Sequence, residues 1–266
     1  MAKKKALMLG NPSIAEYDGF QERGNTFTVV GTAFKSIFLL AILMVAFGYT
    51  WHLSTLGYAE QFATQVDGHV PDSIAIPSNV VGLAVGGSLV GFILAMVIIF
   101  RQTTAPYLSP IYAACQGLFL GAISAGFEAK FPGIVLQAVG ATFGVSLGMM
   151  FFYGTGILRP TQKFMIWLLS AMIGIVVLYL VDLVMQMCGS YVSVVHSSGP
   201  WGIALQLFIV GIAALNLVVD FGLITASAED RAPKWFEWYG AFSIMVTLVW
   251  LYLEMLRLFA KLRNGD

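Results

Sequence analysis

The stretch Ser78–Phe100 reads SNVVGLAVGGSLVGFILAMVIIF and contains no charged residue from end to end. A helix needs about 20 mainly apolar residues to cross the hydrocarbon core of a bilayer, so this run is long enough to span it. The strands of a transmembrane barrel alternate apolar and polar residues, and this stretch does not. Because only helices and closed barrels satisfy every backbone hydrogen bond in lipid, the stretch predicts a transmembrane α-helix.

Six further apolar runs lie on either side of this one. The composition agrees with them, since 58% of the 266 residues are hydrophobic and 11% are charged, against about 25% charged in a soluble domain. We therefore predict an all-α integral membrane protein with about seven transmembrane helices in residues 29–259, a cytoplasmic N-terminal segment in residues 1–28 and a short basic C-terminal tail in residues 260–266. The other predicted spans are Val29–Tyr49, Pro106–Phe127, Gly133–Ile157, Phe164–Met187, Gly202–Ala226 and Phe236–Phe259.

The lysines and arginines predict the orientation, because they concentrate in cytoplasmic loops. They occur in the N-terminal segment and in the second, fourth and sixth connections, whereas the first and fifth connections have none and the third has only Lys130. This pattern places the N-terminus in the cytoplasm. The basic residues Arg257, Lys261 and Arg263 conflict with it, since seven complete crossings put them outside. Either the tail is an exception or the last helix does not cross fully.

The residues typical of enzymes and metal sites do not form known motifs. There is no nucleophile elbow, paired-histidine zinc motif or phosphate-binding glycine loop, so we expect no enzymatic activity and no cofactor, and no metal ligand can be named. The net charge of zero gives no reason to expect nucleic acid as a partner. Cys115 and Cys188 are interpreted as small apolar packing residues, and His52, His69 and His196 as surface residues of the outer connections.

Ionisable residues inside the apolar runs are the candidate functional residues, because a charged group in the membrane is costly and usually faces a cavity or a partner. Asp220 lies near the cytoplasmic end of the sixth span, and Arg101 closes the second span at the same side. The two can therefore form an ion pair that acts as a latch. Asp182 and Glu254 are further candidates for gating or pH sensing and lie toward the outer ends of the fifth and seventh spans. The favoured alternative for both, as for Lys35 in the first span, is that the side chain reaches an interface.

Glycines four residues apart predict where helices pack closely, because such spacing lets two backbones approach in lipid. A face that slides during gating is the functional alternative. The glycines in question are Gly82 and Gly86, Gly87 and Gly91, Gly117 and Gly121, and the series Gly140, Gly144 and Gly148.

Two long stretches resemble the Bax inhibitor/YccA family. Residues Tyr107–Tyr153, YLSPIYAACQGLFLGAISAGFEAKFPGIVLQAVGATFGVSLGMMFFY, resemble its central core. A second set of motifs resembles a bacterial branch of the family. These are Asn11-Pro12, Thr26–Lys35, Asp220-Phe221, Ala232-Pro233-Lys234, Glu237-Trp238-Tyr239, Trp250-Leu-Tyr-Leu-Glu254 and Leu256-Arg257-Leu258. The resemblance implies a bundle of seven helices, with the last enclosed by the other six, in the bacterial inner membrane.

The resemblance also implies a pH-sensitive leak for calcium or other cations, controlled by membrane aspartates on helices six and seven and latched by an arginine on helix two. Asp220 matches the first aspartate, and Arg101 matches the latch. The Leu-Tyr-Leu-Glu string gives the second aspartate's place to Glu254, whereas an ungapped match through Ala241 gives it to Thr247. Glu254 lies about 15 Å from the level of Asp220, too far to share a proton, which needs about 4–6 Å. We therefore favour Thr247, so that a two-carboxylate sensor is absent or rebuilt.

Two functions are compatible with these features. The first is a pH-sensitive cation (calcium) leak channel gated by Asp220. The second is a regulator without transport activity that binds other membrane proteins, such as a membrane-bound quality-control protease. The expected partners are accordingly the lipid bilayer, calcium or other cations, and other membrane proteins. Ion flux from the purified protein distinguishes the two functions.

Overall fold

The computed structural model describes residues 26–63 and 78–265, and within these ranges it contains seven long α-helices. Each includes an apolar window long enough to cross a membrane, which confirms the predicted all-α membrane fold. A 3-10 turn, Gln102–Thr104, follows the second helix, and a one-turn helix, Ser193–His196, precedes the sixth. The long helices are α1 (Val29–Ala63), α2 (Ser78–Phe100), α3 (Ala105–Lys130), α4 (Ile134–Gly154), α5 (Gln162–Met187), α6 (Pro200–Glu229) and α7 (Phe236–Asn264).

The helices differ from the predicted spans mainly at their ends. Helix α1 continues past Tyr49 to Ala63, and α7 continues past Phe259 to Asn264, so that residues 260–264 extend the helix rather than form a separate tail. Both extensions contain good helix formers and no proline, so the helix persists where the apolar run stops. Residues 1–25 of the predicted N-terminal segment, and His69, lie outside the described residues.

Helix α7 occupies the centre of the bundle. Between Trp235 and Lys261 its only exposed residue is Arg257. It packs against α1, α3, α4 and α6, and Glu254 and Trp250 connect it to α5. Helix α2 packs chiefly against α3. The expectation that the last helix is enclosed by the others therefore agrees with the observed packing.

The glycine prediction holds for two pairs and is wrong for the others. A Cβ on Gly117 or Gly121 would meet a backbone carbonyl oxygen of α1, and one on Gly87 would meet the Cys115 carbonyl of α3. Gly91 likewise faces α3, at Gln116. Four-residue spacing does not show which helix face meets a neighbour. For the remaining glycines, no atom of the described residues beyond the helix's own neighbouring backbone lies within 4 Å of such a Cβ; they are Gly82, Gly86, Gly140, Gly144 and Gly148.

The two ends of the bundle are defined by contacts of α7. At one end, which we call the basic-loop end, Phe27 donates its N–H to the carbonyl of Ala232, just before α7 begins (2.8 Å). At the opposite end Arg263 donates to the Pro132 carbonyl in the third connection (2.8 Å), and Lys261 donates to the Gly202 carbonyl at the start of α6 (3.2 Å). Helix α7 therefore runs from one end of the bundle to the other.

Candidate functional site

Asp220 on α6 lies at the centre of a hydrogen-bonded group that joins α6 to α7. The residue is 5% exposed. Ser243 and Thr247, one turn apart on α7, each donate a hydroxyl hydrogen bond to a different oxygen of its carboxylate, with 2.6 Å between Thr247 Oγ1 and Asp220 Oδ2. Asn216, one turn earlier on α6, donates to Thr247 Oγ1 (2.9 Å). Four polar side chains thus connect the two helices inside an apolar core.

The predicted latch between Arg101 and Asp220 is not formed in this structure. Arg101 is exposed, and the ion pairs among the described residues do not include it. Arg101 and Trp235 line the same surface depression at the basic-loop end. Because α2 packs chiefly against α3, the end of α2 is not brought to α6.

Thr247, rather than Glu254, lies opposite Asp220. Glu254 follows seven residues later on α7, which corresponds to about 10 Å along the helix, and it bonds to other side chains. This is the arrangement that the ungapped match favours. No second carboxylate hydrogen-bonds with Asp220 among the described residues; the hydroxyls of Ser243 and Thr247 take that place.

Glu254 holds three helices together nearer the opposite end. Its carboxylate, 1% exposed, accepts hydrogen bonds from Tyr179 of α5 (3.0 and 3.1 Å) and from Gln206 of α6 (2.6 Å). Trp250 and Arg257 of α7 add one each (3.1 Å). The expectation that Glu254 reaches an interface is wrong, because these donors replace the water that an interface would supply.

Asp182 holds the segment between α5 and α6 against the end of α5 through hydrogen bonds. It is buried and accepts from Gln186 (2.7 Å), from the backbone N–H of Val192 (2.9 Å) and from Nε2 of His196 (2.8 Å). His196 is therefore a structural partner and not a free surface residue, although its side chain is 46% exposed. His52 is exposed, as expected, but lies on α1 rather than in a connection.

The sequence interpretation missed a buried ion pair between Glu237 and Lys35 at the basic-loop end. Glu237 is fully buried at the start of α7. It pairs with Lys35 and accepts the N–H (2.9 Å) and the hydroxyl (2.8 Å) of Thr28. The available signal was that both residues lie within two helical turns of the same end, with opposite charges. Lys35 thus pairs inside the protein instead of reaching an interface alone.

The structure therefore places four buried carboxylates at successive levels of the bundle. Distances along the axis of α7 follow from a rise of about 1.5 Å per residue. On this scale the residues of α7 that contact Asp220 lie about 9–15 Å from Glu237, and Glu254 lies about 26 Å from Glu237. Within the described residues, no group of three or more potential ligands could hold a metal ion. Three of the four acids have a basic partner, and Asp220 has none within the part of the chain described.

The comparisons with known proteins agree with this architecture. The family model described as Bax inhibitor 1 like matches residues 11–264. Comparison with curated proteins gives no match, and comparison with solved structures gives none. Since the family match extends over nearly the whole chain, and the helices form the enclosed seven-helix bundle expected of such a protein, the chain belongs to the Bax inhibitor 1 like family.

Proposed function

We propose that this protein conducts cations across the membrane through its helix bundle, with Asp220 as a protonation-dependent gate. The observation that carries the proposal is the burial of Asp220 between α6 and α7 without a basic partner among the described residues. An uncompensated carboxylate is costly in a dry environment. A proton or a passing cation compensates it, and either one changes the charge at this level of the bundle.

The hydrogen bonds of Asp220 link its charge to the separation of the helices. Ser243 and Thr247 tie α7 to the ionised carboxylate of α6. Hydrogen bonds to an ionised acceptor are about twice as strong as neutral ones. When Asp220 takes a proton, the tie weakens, and α6 and α7 separate more readily at this level. We therefore expect flux to rise as the pH falls.

The group around Asp220 suits a gate better than a tight calcium site. Calcium takes about 6–8 oxygen ligands, commonly from several carboxylates. Here one carboxylate is combined with two hydroxyls and the Asn216 amide. Calcium is the first ion to test because of the family, and a weak, transient interaction with Asp220 is compatible with conduction.

The test is calcium entry into liposomes that contain the purified protein, measured between about pH 6 and 8. The wild-type protein should conduct, with more flux at lower pH, and Asp220→Asn should conduct without pH dependence because its side chain cannot ionise. Asp230→Asn is the matched control, since Asp230 is an exposed acid near the same end of α6. It should behave like the wild type.

Two outcomes would count against the gate. Unchanged pH dependence in Asp220→Asn would remove Asp220 from the mechanism. Absence of flux above that of empty liposomes at every pH would remove the channel itself. The second outcome would favour the regulator function, for which the unpacked face of α4 at Gly140, Gly144 and Gly148 offers a surface for another membrane helix. Pull-down of partners from native membranes would then be the next experiment.

A further inference from the structure

A groove of about 620 Å³ lies between α1 and the start of α7 at the basic-loop end. Phe34 and Phe38, one turn apart on α1, line it and are 69% and 51% exposed. Trp238 forms part of the opposite wall, edge-on to Phe38 with 6.0 Å between ring centroids. Exposed aromatic side chains on a membrane-spanning helix face lipid, so the groove opens toward the bilayer.

Unpaired positive charge lies at the rim of this groove. Lys234 is exposed and has no ion-pair partner among the described residues, whereas Lys35 is already neutralised by Glu237 within the wall. Helix α1 begins at Val29 and adjoins the same rim at Val30, but the Glu237 carboxylate already accepts the N–H of Thr28 at this end of the helix. The positive charge of the rim that has no partner among the described residues is therefore that of Lys234. The groove therefore combines an apolar floor with a cationic edge.

The aromatic wall places this edge at the depth of the lipid headgroups. Tryptophan is enriched where the acyl chains meet the headgroup region. Trp238 lies in the first turn of α7, and Lys35 Nζ lies 5.5 Å from the centroid of its ring. Phe34 and Phe38 continue from this level along α1 into the apolar part of the bundle.

We propose that this groove binds one anionic phospholipid, with its phosphate at Lys234 and an acyl chain over Phe34 and Phe38. Basic pockets between membrane helices suit anionic headgroups. A zwitterionic headgroup gains less at this edge, because its own cation is repelled by Lys234. The bound lipid would bridge α1 and α7 on the lipid-facing surface of the bundle, at the level where Lys35 and Glu237 join the two helices in its interior.

The test is native mass spectrometry of the purified full-length protein, titrated with phosphatidylglycerol or with phosphatidylcholine. We expect one phosphatidylglycerol molecule to be retained in preference to phosphatidylcholine. Lys234→Gln should weaken its binding about fivefold, the effect of about one basic residue near an anionic surface. Lys163→Gln is the matched control, because Lys163 is an exposed lysine at the start of α5 that has no ion-pair partner among the described residues and does not line the groove. It should change the affinity less than twofold.

A second variant distinguishes the contribution of the acyl chain to binding from that of the headgroup. Phe34→Ala should weaken binding of both lipids to a similar degree, and because Phe34 is mostly exposed, this variant should fold normally. Equal retention of both lipids by the wild type, or equal effects of the two lysine variants, would overturn the proposal. If residues 1–25 or a second copy of the chain fill the groove instead, no lipid preference will be seen and the proposal fails. None of these readouts depends on ion flux.

Discussion

The buried pair of Lys35 and Glu237 makes a quantitative prediction about stability. Among the described residues, replacing Lys35 by Met leaves the fully buried Glu237 carboxylate with the two donors of Thr28 alone. Breaking a buried ion pair from one side costs about 3–5 kcal/mol. Since the Lys35 side chain is 19% exposed, water can partly replace it, and we expect the lower end, about 3 kcal/mol.

The double variant should recover most of this loss. Glu237→Gln keeps an oxygen that accepts from Thr28 and removes the charge, so Lys35→Met combined with Glu237→Gln leaves no uncompensated ion. We expect the pair of changes to cost about 1 kcal/mol. Glu237→Gln alone should cost about 1–2 kcal/mol, because Lys35 loses its partner but can still reach water. The double-mutant cycle should then give a coupling energy of about 3–4 kcal/mol.

The assay is reversible unfolding in mixed micelles by titration with sodium dodecyl sulfate, followed by circular dichroism. Lys163→Met is the control, since this exposed lysine has no ion-pair partner among the described residues. It should change the free energy of unfolding by less than about 0.5 kcal/mol. The reasoning is refuted if the two single changes are additive, or if the double variant is as unstable as Lys35→Met.

Two further predictions test the packing and the site. Gly117→Val should lower the melting temperature, because the new side chain meets the Leu43 carbonyl of α1 and overpacking of this kind costs about 1–3 kcal/mol. Gly144→Val lies on an open helix face and should leave the melting temperature unchanged. Equal effects of the two variants would contradict the observed packing. Thr247 donates a hydrogen bond to Asp220, so Thr247→Asp places a second carboxyl in contact with the first. Two carboxyls in contact cannot both ionise freely, and the pH profile of calcium flux should therefore show two steps. Thr247→Asn is its neutral control, and identical flux profiles for the two variants would disprove the coupling.

The number, order and type of the helices could be read from the sequence because the length of an apolar run is a local property. The packing could not, because it depends on which faces meet. Gly117 and Gly144 carry the same spacing signal, yet only Gly117 lies against another helix. For the same reason the sequence gives no direct sign that Lys35 and Glu237, 202 residues apart, form a pair.

The candidate site was predictable in part. Asp220 stands out as an acid inside an apolar run. Thr247 is named by the ungapped match to the family, and the count of residues along the last helix argues only against Glu254. The hydroxyl of Ser243 was not foreseen, because serines are common in membrane helices and carry no signal of their own. The latch to Arg101 is predicted from depth and from the family resemblance, and neither of these determines which helices are neighbours in this chain.

The enclosure of α7 has a consequence for how the protein is assembled in the membrane. This helix follows the other six in the chain and carries Glu237, Glu254 and Arg257 within its candidate span. A charged residue at the centre of a lone helix raises the cost of insertion by about 2.5–3.5 kcal/mol, and Glu254 is the acid that lies well inside the span. Arg257 pairs with Glu254 on α7 itself, but the other donors to Glu254 lie on α5 and α6 and the partner of Glu237 lies on α1, so α7 becomes stable in lipid only after those helices are in place. We therefore expect membrane insertion of the last helix to be a late step of biogenesis, driven by assembly with the earlier helices rather than by its own hydrophobicity.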